Sequence, residues 1–353
     1  MYRPRTVHRI LARFSGTPAG RAWPRSFADR LTHPVPGSAA VLRLMRERGN
    51  RPTGPIAGRV PVVEQAVPPV LPGQAAVTWV GHATCLVQLG GRVVLTDPVF
   101  ADRIPGTPRR YTPPGVAWAA LPPIDAVVIS HNHFDHLDEP TVRRLPRDTP
   151  VLVPAGLAWW FQARGFRRVI ELDWWESATV AGVRFDFTPA HHWSRRGLFD
   201  TCQSLWGGWL MTATGTPAHR VFFAGDSAYG PAFAEIGARF PGIDVALLPV
   251  GAFRPRWFMK PLHMDPAEAV RACGDLGADR MVTIHWGAFA LSAEPVLAPV
   301  ELARKAWAEA GRPAGMLWDL AVSGVPLRRA KAAAGTGAGG SGSTGTRATG
   351  SGP

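Results

Sequence analysis

The chain has 353 residues, 46% of them hydrophobic, with a formal net charge of +13. That length suffices for a large core, and no run of eighteen apolar residues suggests a transmembrane helix. Residues 1–60 carry 12 arginines against Asp29 and Glu47, and residues 325–353 carry four bases and no acid, so residues 61–324 sum to −1 and a nucleic-acid-binding core is disfavoured.

In chain order, residues 1–74 read as a basic Arg/Pro-rich arm and linker. A short helix fits residues 7–14, and Pro68, Pro69, Pro72 and Gly73 close the segment. It lacks the apolar stretch of a secretory signal, although its acid-poor composition also suits an organellar transit peptide. Such an arm is solvated, or touches anionic lipid or nucleic acid. Strands are predicted over 77–80 and 85–89, then a Gly90-Gly91 turn and a strand over 92–96 that ends at Asp97. A Pro-rich loop spans 101–124. The short β-branched run 126–129 reads as a buried strand, and Asp138 as the N-cap of a helix reaching about residue 145.

Further strands are predicted at 151–153, 169–172, 183–187, 205–212, 220–224, 245–250 and 281–284. Helices are predicted at 157–164, from Asp265 onward with Pro266 at its first position, and at 299–310. From Ala332 on, Gly, Ala, Ser and Thr dominate without apolar periodicity, so residues 326–353 are expected to form a disordered tail. The hydrolase domain is then 75–325. Cys85, Cys202 and Cys273 are few, odd in number and far apart, which suggests a reducing compartment without disulfides. A cytoplasmic protein follows, with peripheral contact at the inner membrane face.

The chemistry concentrates in Ser130-His131-Asn132-His133-Phe134-Asp135-His136-Leu137-Asp138. Three of the 11 histidines fall within six positions behind a strand. In extended backbone His131 and His133 point the same way and can grip one ion. Asp135 and His136, after the chain turns, can face a second. Imidazole with carboxylate suits zinc or a similar divalent metal rather than calcium. Similar residues end later strands at His192, Asp226 and His285, and strand-end ligands converge when strands share a sheet edge.

This order resembles the metallo-β-lactamase fold, an α/β four-layer αββα sandwich. The local sequences resemble the N-acylphosphatidylethanolamine-hydrolysing phospholipase D family within it. The pieces that carry the resemblance are 80–84, 95–100, 130–138, 225–229 and, most specifically, Arg256-Trp257-Phe258-Met259-Lys260 within 251–260. His263-Met264-Asp265-Pro266 and Ile284-His285-Trp286-Gly287 complete them. The resemblance spans roughly 75–320.

It implies two Zn2+, one held by His131, His133 and His192 and the other by Asp135, His136 and His285, with Asp226 bridging. Residue types alone leave His191 and His192 open; the resemblance favours His192 because Trp193 follows it. Catalytic roles fall to Asp135, Asp226 and His263, the last near the substrate phosphate. Asp97 either caps a turn or orients a ligand imidazole. His82 is a buried histidine or lies beside the site. Most of the 14 tryptophans are core, though some suit an acyl groove or membrane interface. The implied activity is hydrolysis of a phosphodiester, as in N-acylphosphatidylethanolamine-like lipids, by metal-activated hydroxide attack on phosphorus. The alternatives are a metal-dependent lactonase or esterase on a small metabolite, a nuclease or nucleic-acid-binding protein, and a non-catalytic metal binder. A homodimer is compatible with these readings.

Overall fold

The computed structural model describes residues 21–47, 60, 62, 67, 69, 74–213, 218–318 and 325–327. The helix predicted at 7–14 and the tail from Ala332 lie outside them. After α1 (Ser38–Glu47), the first half of the domain contains β1 (Ala75–Gly81), β2 (Thr84–Leu89), β3 (Arg92–Thr96), β4 (Ala126–Val128), α2 (Glu139–Val142), β5 (Val151–Pro154), α3 (Ala158–Gln162) and β6 (Val169–Leu172). The second half contains β7 (Ser177–Val180), β8 (Val183–Thr188), β9 (Gly208–Ala213), β10 (Arg220–Phe223), α4 (Ala232–Arg239) and β11 (Val245–Pro249). It continues with α5 (Arg256–Met259), α6 (Pro266–Asp275), β12 (Arg280–Ile284), α7 (Ala298–Glu309), β13 (Leu317–Trp318) and β14 (Val325–Leu327).

These strands make two seven-stranded sheets, ordered β14-β1-β2-β3-β4-β5-β6 and β13-β12-β11-β10-β9-β8-β7. Local chemistry sets the hairpins: Gly90 and Gly91 both hold positive φ, as a tight two-residue turn between β2 and β3 requires. β3, β4, β5 and β6 are parallel, so each must be linked across a face, and α3 packs against β6. Alternation along β4 separates two apolar layers. Ala126 and Val128 join the core shared with the second sheet, where Phe185, Phe187, Trp209 and Phe223 lie. Val127 and the following Ile129 instead face Leu137, Val142, Trp160 and Phe161 of the outer helical layer. On the other side α6 lies against β11 and β12, flanked by α4 and α7. The result is the αββα sandwich.

Caps fix the helix starts. Asp138 accepts from the Thr141 N–H before α2, and Asp265 with Glu268 closes a capping box on α6. Residues 21–47 run over this domain. Phe27 is 1% exposed and donates its N–H to the Cys202 carbonyl at 2.7 Å. Trp23 Nε1 donates to Glu171, and Arg21 and Arg30 pair with Glu176 and Asp173. Farther on, Trp257 Nε1 donates to Glu47, and the Arg43 guanidinium sits 3.9 Å over the Trp257 ring. Among the described residues no helix is long and apolar enough to cross a membrane.

Candidate metal centre

The site lies at the strand ends where both sheets meet. Beyond β4, Ser130 donates from its N–H and Oγ to Asp97 at 2.7 and 2.5 Å, which turns the chain into the histidine-rich stretch. His131 Nε2 then stands 2.9 Å from His133 Nδ1, and His192 Nε2 3.3 Å from the same His133 atom. Their ligand-type atoms, one from each residue, all lie within 4.8 Å of one another. A second group joins His82, Asp135, His136 and His285. Asp226 lies between the groups. Its Oδ2 is 3.1 Å from His136 Nε2, 3.2 Å from His285 Nε2 and 3.8 Å from His192 Nε2.

His192 sits in the cluster and is held there by Nδ1, 3.0 Å from the Leu262 carbonyl. His191 points elsewhere. It bridges to Ala228, and its ring fills the space that a side chain at Gly230 would need. His263 reaches the cluster from beyond α5, with Nδ1 3.8 Å from Asp226 Oδ2. Asp97 lies behind His136 and contacts its Nδ1 at 2.6 Å. His82 is closer to the centre than a neighbouring histidine need be. Its Nε2 is 3.0 Å from Asp135 Oδ2, and its carbonyl accepts the His285 N–H. His82 and His285 both hold positive φ, a strained backbone that their surroundings must enforce. Gly251 packs so tightly on the His285 carbonyl that a Cβ there would come within 1.9 Å of it.

The donor set fits divalent cations. His136 Nε2, His285 Nε2, His263 Nδ1 and Asp226 Oδ1 are buried without a hydrogen-bond partner. Buried polar atoms normally find one. Neighbouring donors are spaced 2.9–3.5 Å apart, close to the roughly 3.3 Å edge of a tetrahedron with zinc–ligand bonds of about 2.0–2.1 Å. Electrostatics agree. Burial holds His131 and His133 uncharged, the latter pushed down to about 3, as ligation by imidazole requires. Burial would also lower His285, but Asp226 and Asp135 outweigh it and lift this group to about 9. Burial would raise Asp226, but the imidazoles of His136, His285 and His263 hold it well below the usual carboxylate range. Asp135 and Asp226 thus favour positive charge at the centre of the cluster, which a bound divalent cation would supply.

Above the centre opens a cleft of about 480 Å³ whose lining includes His133, Asp135, Trp193, Arg195, Arg196 and Leu198. The Arg196 guanidinium donates to the Leu137 carbonyl at 2.5 Å and lies 4.3 Å over the Phe134 ring. Neither Ser130 nor Arg196 is assigned a role by sequence. Ser130 was visible as the residue between a strand and the histidines, whereas nothing in the sequence joins Arg196 to residue 137.

Two layered sheets with a buried histidine–carboxylate cluster at their common edge define a metal-dependent hydrolase of the metallo-β-lactamase fold. The family described as "Beta-lactamase superfamily domain" matches residues 92–286, more than half of the chain, and the chain belongs to that superfamily. It is 41% identical over 270 residues to an uncharacterized protein of Mycobacterium tuberculosis, covering 72% of this chain and 69% of that one. It is 39% identical over 229 residues to N-acyl-phosphatidylethanolamine-hydrolyzing phospholipase D 1 of Caenorhabditis elegans, covering 60% of this chain and 64% of that one. Among solved structures, a metallo hydrolase from Ignicoccus hospitalis shares the fold with a TM-score of 0.54 at 20% identity. That match covers 72% of this chain and 99% of the other.

Proposed function

We propose that the chain is a phospholipase D-type phosphodiesterase that works with two divalent ions, zinc foremost, on lipids of the N-acylphosphatidylethanolamine kind. The observation that carries this reading is the convergence of buried imidazoles and carboxylates beneath a cleft that is cationic and apolar together. A lipid phosphodiester has the matching halves, an anionic group and a long apolar chain. The likeness to a relative named for such hydrolysis supports the choice of bond.

In this reading His131, His133 and His192 would hold one ion and Asp135, His136 and His285 the other, with Asp226 available to either. When bound, such a pair activates water and offsets charge on the phosphoryl oxygens. Asp97 and Ser130 keep the imidazoles of His136 and His131 in register. His82, against Asp135, steadies that carboxylate from the opposite side. Water adds to phosphorus, the bond to the ethanolamine oxygen breaks, and the departing alkoxide takes a proton. His263 is suited to meet the phosphoryl group or supply that proton, because its unpartnered Nδ1 faces the cluster. Arg195 and Arg196 attract the anionic substrate into the cleft.

The test is metal analysis by mass spectrometry together with a panel of phosphodiesters, lactones and carboxylic esters. Two equivalents of metal and turnover confined to phosphodiesters are expected. Turnover of lactones or esters alone would overturn the reading.

A further inference from the structure

The loop between His192 and β9 carries two large apolar side chains out into solvent. Leu198 is 76% exposed and Phe199 89%. Single exposed hydrophobics are common on soluble proteins, but an adjacent pair held outward at the rim of a cleft is not. The loop is closed at its base by the Cys202 N–H, which donates to the Ser194 carbonyl at 2.8 Å. Inside it, the Asp200 carboxylate accepts the backbone N–H groups of Arg196 and Gly197. The Gln203 amide donates to the Phe199 carbonyl. Arg196 pins the whole turn to the histidine-rich stretch through the Leu137 carbonyl. The tip therefore cannot fold back to bury its apolar pair without losing these bonds.

Charge accompanies the pair. Arg195 donates its Nε to the Gly197 carbonyl at 3.0 Å, forms no ion pair among the described residues and lines the same cleft as Leu198. An apolar tip with a guanidinium at its base that no carboxylate pairs among the described residues matches a bilayer, whose acyl region lies just below its phosphates. The +10 balance of residues 1–60 favours the same anionic surface.

We propose that the loop from Ser194 to Cys202 is an interfacial anchor: Leu198 and Phe199 enter the acyl region of an anionic bilayer while Arg195 meets its phosphates, so that the cleft opens directly onto lipid. This deepens the phospholipid reading and rests on it for the substrate only, since the anchor itself follows from exposure, charge and loop rigidity.

The three native cysteines are buried, so Phe199→Cys can be labelled selectively with an environment-sensitive fluorophore. Lys305→Cys, on α7 with a side chain 70% exposed, serves as the remote control. With vesicles of phosphatidylglycerol and phosphatidylcholine, the label at position 199 should shift to the blue and brighten, and the one at 305 should not. Phe199→Asp should reduce vesicle binding about tenfold or more, from the lost transfer of one large apolar side chain. It should also slow hydrolysis of a vesicle-borne phosphodiester, with turnover of a water-soluble phosphodiester unchanged. A label at 199 that stays solvent-like on vesicles, Phe199→Asp binding as the parent does, or a shift that appears with protein concentration alone would each overturn the anchor. The last would assign the loop to a second copy of the chain. Anchoring as expected with neither phosphodiester hydrolysed would leave the anchor standing and sink the substrate reading instead.

Discussion

Asp97 Oδ2 lies 2.6 Å from His136 Nδ1, so the carboxylate fixes which nitrogen of that ring faces the cluster. Its other bonds, from the Ser130 N–H and hydroxyl, brace it against rotation. Asp97→Asn keeps the shape and tolerates the positive φ at this position but removes the charge that favours the required tautomer. Metal affinity should fall about 10–100-fold, measured by competition with a chromophoric chelator, while the circular dichroism spectrum stays unchanged. Unaltered affinity would make Asp97 a turn residue only.

His263→Ala separates two roles that geometry alone allows. His263 shares a donor group with His192 and Asp226, yet the proposed ligand set is complete without it. The variant should keep two metal equivalents and its melting temperature, and lose about 10²–10³ in phosphodiester turnover. Loss of one equivalent would instead make it a ligand.

Gly251→Ala should disturb the centre without touching a donor. The added Cβ would press on the His285 carbonyl, a backbone atom that cannot swing away. A destabilisation of roughly 1–3 kcal/mol is expected, with metal content reduced because His285 moves. Denaturant melts and metal analysis on the same sample check both halves of the expectation.

Phe27→Ala should destabilise the fold by about 3 kcal/mol, within the range for truncating a buried aromatic, since this ring is almost fully enclosed in the main core. Turnover per folded molecule should persist, because residue 27 lies outside the donor cluster. A normal melting temperature would show that the segment 21–47 adds no stability.

Elements with a strong local signal were legible in the sequence. Arg92–Thr96 forms at the predicted bounds because β-branched residues follow a double glycine, and the helices after Asp138 and Asp265 begin where their caps stand. Ala232–Arg239 and Ser177–Val180 were missed, the first because Gly237 weakens its helical pattern and the second because four short residues give little periodicity. The site divides the same way. Side-chain type and spacing pointed to the candidate donors within 131–136, which the fold brings together, but the approach of His82 to Asp135 crosses 53 positions of sequence. The hydrogen bond from the Phe27 N–H to the Cys202 carbonyl joins residues farther apart still. Such contacts depend on the register of two sheets, which no local pattern encodes.

The cluster draws His131, His133, Asp135 and His136 from the first half of the domain and His192, Asp226, His263 and His285 from the second. Each of the two proposed donor sets, His131 with His133 and His192, and Asp135 with His136 and His285, takes residues from both halves. A cation held there is consequently a rivet across the seam between the sheets. Its binding free energy adds to the stability of the docked pair and not to either sheet alone. Stripping it with a chelator should loosen that seam first, so that amides flanking the inter-sheet contact gain solvent exchange before those inside β2 or β11 do.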